Sequence, residues 1–159
     1  MSVLRPLHLA AWAAWVGAFS LYFGVVAPTA RQVLGHPPTV GLITQQVTWW
    51  FLGAAVILAV TGMRPAMAAF RTGSRGWHFG LGLWIITTGL QIACHPLLDR
   101  QLTSATVNVL DQEAFRPLHH LYLAAAMVQW GAGVWLVWIQ MRALGQRPAF
   151  PAASVAHVQ

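Results

Sequence analysis

The chain has 159 residues, of which 57% are hydrophobic and only 8% charged, with a mean hydropathy of +0.59. Soluble domains carry about 25% charged residues, so this composition excludes an ordinary water-soluble domain, and the apolar surface has to face lipid. The net charge of +6 is carried by scattered arginines with no basic patch interleaved with aromatics, which argues against nucleic acid as a partner.

Charged residues bound four uncharged runs, 6–30, 32–63, 76–98 and 117–141. The first contains Leu7 to Ala30, 24 residues without an acid, Lys or Arg. As a helix it rises about 36 Å, enough to cross a hydrocarbon core of about 30 Å with some tilt. It exceeds the apolar region of a signal peptide, and Pro28 follows the small residues Val25-Val26-Ala27, so the segment is expected to be retained. In the second run Gly35-His36-Pro37-Pro38 should break a helix, so the span is placed at 39–63, with Gly62 and Pro65 marking its exit. The third is placed at 76–95 and is expected to stop at Pro96. The fourth, about 115–143, carries Pro117 in its first turn.

The fold expected is all-α: a single four-transmembrane-helix bundle over residues 1–145, up-down-up-down, with a disordered tail at 146–159. Six of the nine arginines (5, 64, 71, 75, 142 and 147) fall on one side and three (31, 100 and 116) on the other, together with Asp99, Asp111 and Glu113. The arginine excess puts both termini in the cytoplasm and the loops 31–38 and 96–114 outside. The expected location is a bacterial cytoplasmic membrane. Trp49, Trp50 and Trp77 lie near span ends, where indoles favour the interface. The deeper Trp residues are expected in packing or lipid contact. Ala10, Ala13, Gly17 and Gly24 on the first span, and Gly76 with Gly80 on the third, are candidate points of close helix approach. The longest loop, 97–114, could lie on the membrane surface as an amphipathic segment.

Seven histidines are the main chemical signal in so apolar a chain. Two pairings are geometrically open. His8 and His78, at the starts of the first and third spans, could hold haem b. His95 with His119 or His120, near the other face, could bind a metal such as copper. Adjacent helical residues diverge by about 100°, so only one of His119 and His120 can face the bundle axis. The same divergence separates Cys94 from His95. Cys94 is the single cysteine and cannot form an internal disulfide. Gln91 and Gln129 are placed at different heights on antiparallel spans. No acid lies mid-span, and no phosphate loop, nucleophile elbow or paired catalytic carboxylates occur, so an enzyme is not expected.

Leu7-His8 with Trp15-Val16-Gly17 and Val26-Ala27-Pro28, and Phe115 with Leu118-His119 and Leu121, resemble the motifs of a known family. It comprises small four-helix membrane proteins grouped as domain of unknown function 4149, relatives of the transmembrane-protein-205-like proteins. The layout, over residues 4 to 144, is also similar to copper-resistance D-type membrane proteins and to HemJ-type haem-binding protoporphyrinogen oxidases. That similarity implicates His8 and places Trp77-His78 where the third helix begins. The Lys of the HemJ-type third helix has no counterpart, since the chain has no Lys. Two functional expectations follow. The first is a non-catalytic accessory or scaffold subunit of a larger membrane complex. The second is a haem b- or copper-binding protein using paired histidines.

Overall fold

A computed structural model describes residues 4–35, 37–72, 75–103, 108–109 and 111–145. The elements are α1 (Leu4–Leu21), a π-helical turn (Tyr22–Val26), α2 (Ala27–Leu34), α3 (Pro37–Thr72), α4 (Arg75–Gln101) and α5 (Gln112–Gly145). A two-residue antiparallel pairing, β1 (Leu102–Thr103) with β2 (Asn108–Val109), joins α4 to α5. Four helical stretches are long and apolar enough to cross a membrane: Pro6–Leu34, Thr39–Met63, Arg75–Gln101 and Gln112–Ala143. They form a helical bundle, and the chain is a multi-pass membrane protein. The tail expected at 146–159 lies outside the described residues.

Several boundaries differ from the sequence reading. α2 does end at the Gly35 break: Gly35 adopts a left-handed φ of +64° and its N–H bonds the Arg31 carbonyl at 3.1 Å. But the first span runs to Leu34, four residues beyond the expected end at Ala30. The second span, Thr39–Met63, has the expected bounds, although the helix α3 itself runs on to Thr72; α4 continues past Pro96 to Gln101. Proline removes one backbone donor, and packed neighbours in a membrane helix can satisfy the carbonyl it leaves. α5 starts at Gln112 because Asp111 caps it: its Oδ1 accepts the N–H groups of Glu113 at 2.9 Å and Ala114 at 3.1 Å. Pro117 therefore lies beyond the first turn. The loop expected as a surface amphipathic segment is largely absorbed into these helix ends and the β pairing.

The core is aromatic. Trp84 is fully buried and takes Trp12 and Trp15 edge-on, each at a centroid distance of 4.5 Å. The N–H groups of Trp84 and Trp15 are directed at backbone carbonyls of α3: Trp84 Nε1 donates to Ala55 O at 3.1 Å and Trp15 Nε1 to Phe51 O at 3.2 Å. Phe51 and Ala55 are one turn apart, so α1 and α4 grip successive turns of one helix. Phe19, Phe23 and Phe51 extend the cluster on one side, and Trp77, Leu81 and Leu136 on the other. Trp77, expected at the interface, is buried.

Small residues set the approach of α4 and α5. A side chain at Gly80 would meet Trp135 and Leu136 at 2.9–3.2 Å, and one at Gly133 would meet Trp84 at 2.8 Å and Val16 at 3.1 Å. Gly76 is likewise seated against Ile139 and Trp135. The small face expected on the first span does not pack: Ala10, Ala13, Gly17 and Gly24 are exposed, and Trp12, Trp15 and Phe19 form the buried face instead. Bulk drives this choice, because dispersion contacts and not water release join helices in lipid.

Gly133→Ala is therefore expected to destabilise the bundle by about 1–3 kcal/mol, the usual cost of overpacking. Gly17→Ala, with open space around it, should be neutral or slightly stabilising. Thermal unfolding of both variants in mild detergent checks the contrast.

Candidate functional site

Buried polar chemistry occurs at three levels of the bundle. At the end where α1 and α4 begin, His8 on α1 is half-buried. Trp12 Nε1 donates to His8 Nε2 at 3.0 Å, and His8 Nδ1 lies 3.1 Å from Gln140 Oε1 on α5. An indole N–H can only donate, so Nε2 is the acceptor and the proton of the neutral ring sits on Nδ1, donated to the Gln140 carbonyl. Trp77 packs 6.4 Å from His8, centroid to centroid, and its buried Nε1 has no hydrogen-bond partner among the described residues. His78 is half-buried on the first turn of α4. Both nitrogens of His8 are thus engaged by its own bundle, and in this packing it presents no lone pair for haem iron.

The middle level corrects the expected heights of two glutamines. Gln91 Nε2 donates to Gln129 Oε1 at 2.7 Å, Gln129 Nε2 donates to Thr88 Oγ1 at 2.6 Å, and Thr88 Oγ1 donates to Trp84 O at 2.7 Å. All three side chains are buried. The α4–α5 register follows the seats at Gly80 and Gly133 and not the connecting loop, which is why the amides meet. The chain ties the polar level to the Trp core through Trp84.

At the acid-bearing end, His95 is 4% exposed and its Nδ1 lies 3.0 Å from Asp99 Oδ2, one helical turn on. Trp49 of α3 packs on the His95 ring at 4.4 Å, and Tyr122 of α5 meets it edge-on at 6.0 Å. Cys94, Leu98 and Tyr122 form a small apolar cluster around this point. The Tyr122 hydroxyl is buried; Thr48 lies beside it, but no hydrogen bond of good geometry forms. The carboxylate holds the imidazole proton on Nδ1, so a neutral His95 carries its lone pair on Nε2. His119 turns to Phe115, stacked at 5.2 Å, and is half-buried, whereas His120 is exposed. The expected divergence of the two is observed. His95 is thus brought to Asp99, Trp49 and Tyr122. Among the described residues, no three of His, Cys, Asp and Glu are grouped to hold a metal ion.

The sequence reading missed Asp99, although its four-residue spacing from His95 was a usable signal. It also missed Gln140 and Trp49, which only the packing of separate helices brings in. Comparison with family models, with curated proteins and with solved structures finds no match. Fold and site together define a four-span membrane protein whose central polar groups are bonded largely to one another.

Two measurements follow. Nitrogen NMR of 15N-histidine-labelled protein should show His8 as the neutral Nδ1–H tautomer, lost in Gln140→Leu. Gln91→Leu and Gln129→Leu should each be destabilising, and the double variant should cost less than their sum, with a coupling of about 0.6–2 kcal/mol in a double-mutant cycle of unfolding.

Proposed function

We propose that the chain is a small non-catalytic subunit of a larger complex in a bacterial cytoplasmic membrane, and that it receives a transmembrane helix of its partner. The observation that supports this most directly is an open groove of about 520 Å³ between α1 and α3. Ala11, Ala14 and Ala18 line one side, Val47, Ala54, Ile57 and Leu58 the other, with Trp15, Trp50 and Phe51 as aromatic walls. From Val47 to Leu58 the groove follows about 16 Å of helix axis, three turns. Every lining side chain is apolar, and the alanines recur at i, i+3 and i+7, the spacing that lets a second backbone come close in lipid. Trp50, 82% exposed, stands at its edge.

Ala14→Leu fills the groove without entering the core. It is expected to reduce stoichiometric co-purification of the partner from native membranes by about tenfold, equivalent to about 1.4 kcal/mol. Met127→Ala, an exposed change on α5, should leave co-purification unchanged. A photo-crosslinking residue at position 14 that captures only lipid, with the chain purifying alone, would overturn the proposal.

The His95–Asp99 pair favours a second reading, a haem b- or copper-handling protein. A carboxylate that orients an imidazole is common behind metal-binding histidines. Oxidised and dithionite-reduced absorption spectra with metal analysis test it. A Soret band that shifts on reduction, or bound copper, lost in His95→Ala, supports this reading. A folded, colourless and metal-free protein sinks it.

A further inference from the structure

The end of the bundle opposite the acids is unusually one-sided in charge. Helix backbone at this end carries Arg5, Arg64, Arg71, Arg75 and Arg142, while all three acids of the chain, Asp99, Asp111 and Glu113, lie at the other end. One of these arginines caps a built aromatic surface. The Arg142 guanidinium lies over the Trp138 ring, 3.8 Å from its centroid. Trp138 in turn packs against Trp135 at 5.1 Å, and Trp135 Nε1 donates to Gly76 O at 3.2 Å. That bond fixes the ladder on α5 to the first turn of α4. The Gly76 Cα faces Ile139 so closely that a Cβ there would stand 3.3 Å from its Cδ1. Arg75 is the residue before Gly76, and Arg142 is one turn beyond Ile139, so the two exposed arginines lie at the same end of the α4–α5 seam, its arginine-rich edge.

We infer that this edge is a headgroup site for an anionic glycerophospholipid. The ladder of two half-exposed indoles is suited to the membrane interface, where amphipathic rings reside. Stacking holds the Arg142 guanidinium flat, leaving the N–H groups on its edge to meet two oxygens of one phosphate. Arg75 adds a second positive charge beside the unsatisfied N–H groups of the first turn of α4, which favour an anion. The acyl chains would lie along the exposed apolar surface of α5, where Trp135, Val134 and Met127 face outward. Charge complementarity selects the occupant: the exposed Arg75 and Arg142, at an end of the chain without an acid, repel cations and favour a phosphodiester. The site is separate from the α1–α3 groove, so either proposal can fail without the other.

Native mass spectrometry of the full chain, released from nanodiscs of phosphatidylcholine with rising phosphatidylglycerol, tests the site. Wild type should retain phosphatidylglycerol in preference to phosphatidylcholine. Arg142→Gln and Arg75→Gln should each lower retention about fivefold, the fold-change that corresponds to about 1 kcal/mol per arginine near an anionic surface. Trp138→Leu should lower it by releasing the guanidinium, with the melting temperature reported alongside to confirm folding. Arg31→Gln and Arg116→Gln, exposed at the opposite end, should retain lipid as wild type does. Equal retention of the two lipids would overturn the inference. So would loss of the same size from the Arg31 and Arg116 variants, which would mean diffuse charge, or displacement of the lipid by millimolar inorganic phosphate, which would mean a soluble anion site.

Discussion

Inside a bilayer no water is at hand for a buried N–H or hydroxyl, so a partner within the protein is strongly favoured. Trp84 is where this constraint acts most heavily. Its ring is fully enclosed between Trp12 and Trp15, and its N–H reaches the Ala55 carbonyl of a different helix. Its own carbonyl accepts from Thr88, whose hydroxyl accepts from Gln129, which accepts from Gln91. One residue thus joins α1, α3 and α5 to α4 by ring packing and by hydrogen bonds at once. Gly133 is small because Trp84 occupies the space its side chain would need.

This core divides the surface into regions of different use. α4 and α5 are zipped by close glycine seats and amides, and little room remains between them. α1 and α3 meet chiefly through the aromatic cluster, and the alanine-lined groove opens between them. Charge is sorted along the other direction, with arginines gathered where α1 and α4 begin and the acids where α5 begins. The proposed partner helix would use the first asymmetry, and the inferred anionic headgroup the second. The His95–Asp99 pair sits apart from both, at the acid-bearing end.

Much of the fold was legible along the chain. The spans 39–63 and 76–95 fall within α3 and α4, and the break at Gly35 holds, because length without charge and a glycine before prolines are local signals. The span 39–63 keeps its expected bounds. Pro96 reads as a stop by a rule drawn from isolated helices, whereas α4 runs on to Gln101. Apolar content marks the start of the fourth span near 115, whereas the Asp111 cap that starts α5 at Gln112 is a matter of side-chain geometry. Of the candidate residues, His119 and His120 diverge as helix geometry requires, since that is again local.

The partners of those residues belong to another level. Composition and hydropathy by themselves determined that four helices cross a membrane, because the cost of placing charge in hydrocarbon is paid residue by residue. Which face of each helix turns inward was decided only in three dimensions. The small face of the first span reads as an interface in sequence, yet the bulkier Trp12, Trp15 and Phe19 take that role because they bury more contact. Gln91 meets Gln129 across 38 positions of sequence, and His8 meets Gln140 across 132. Antiparallel register arises from the seating of Trp135 and Leu136 on Gly80 and of Gly133 on Trp84, and no single stretch of chain contains that information.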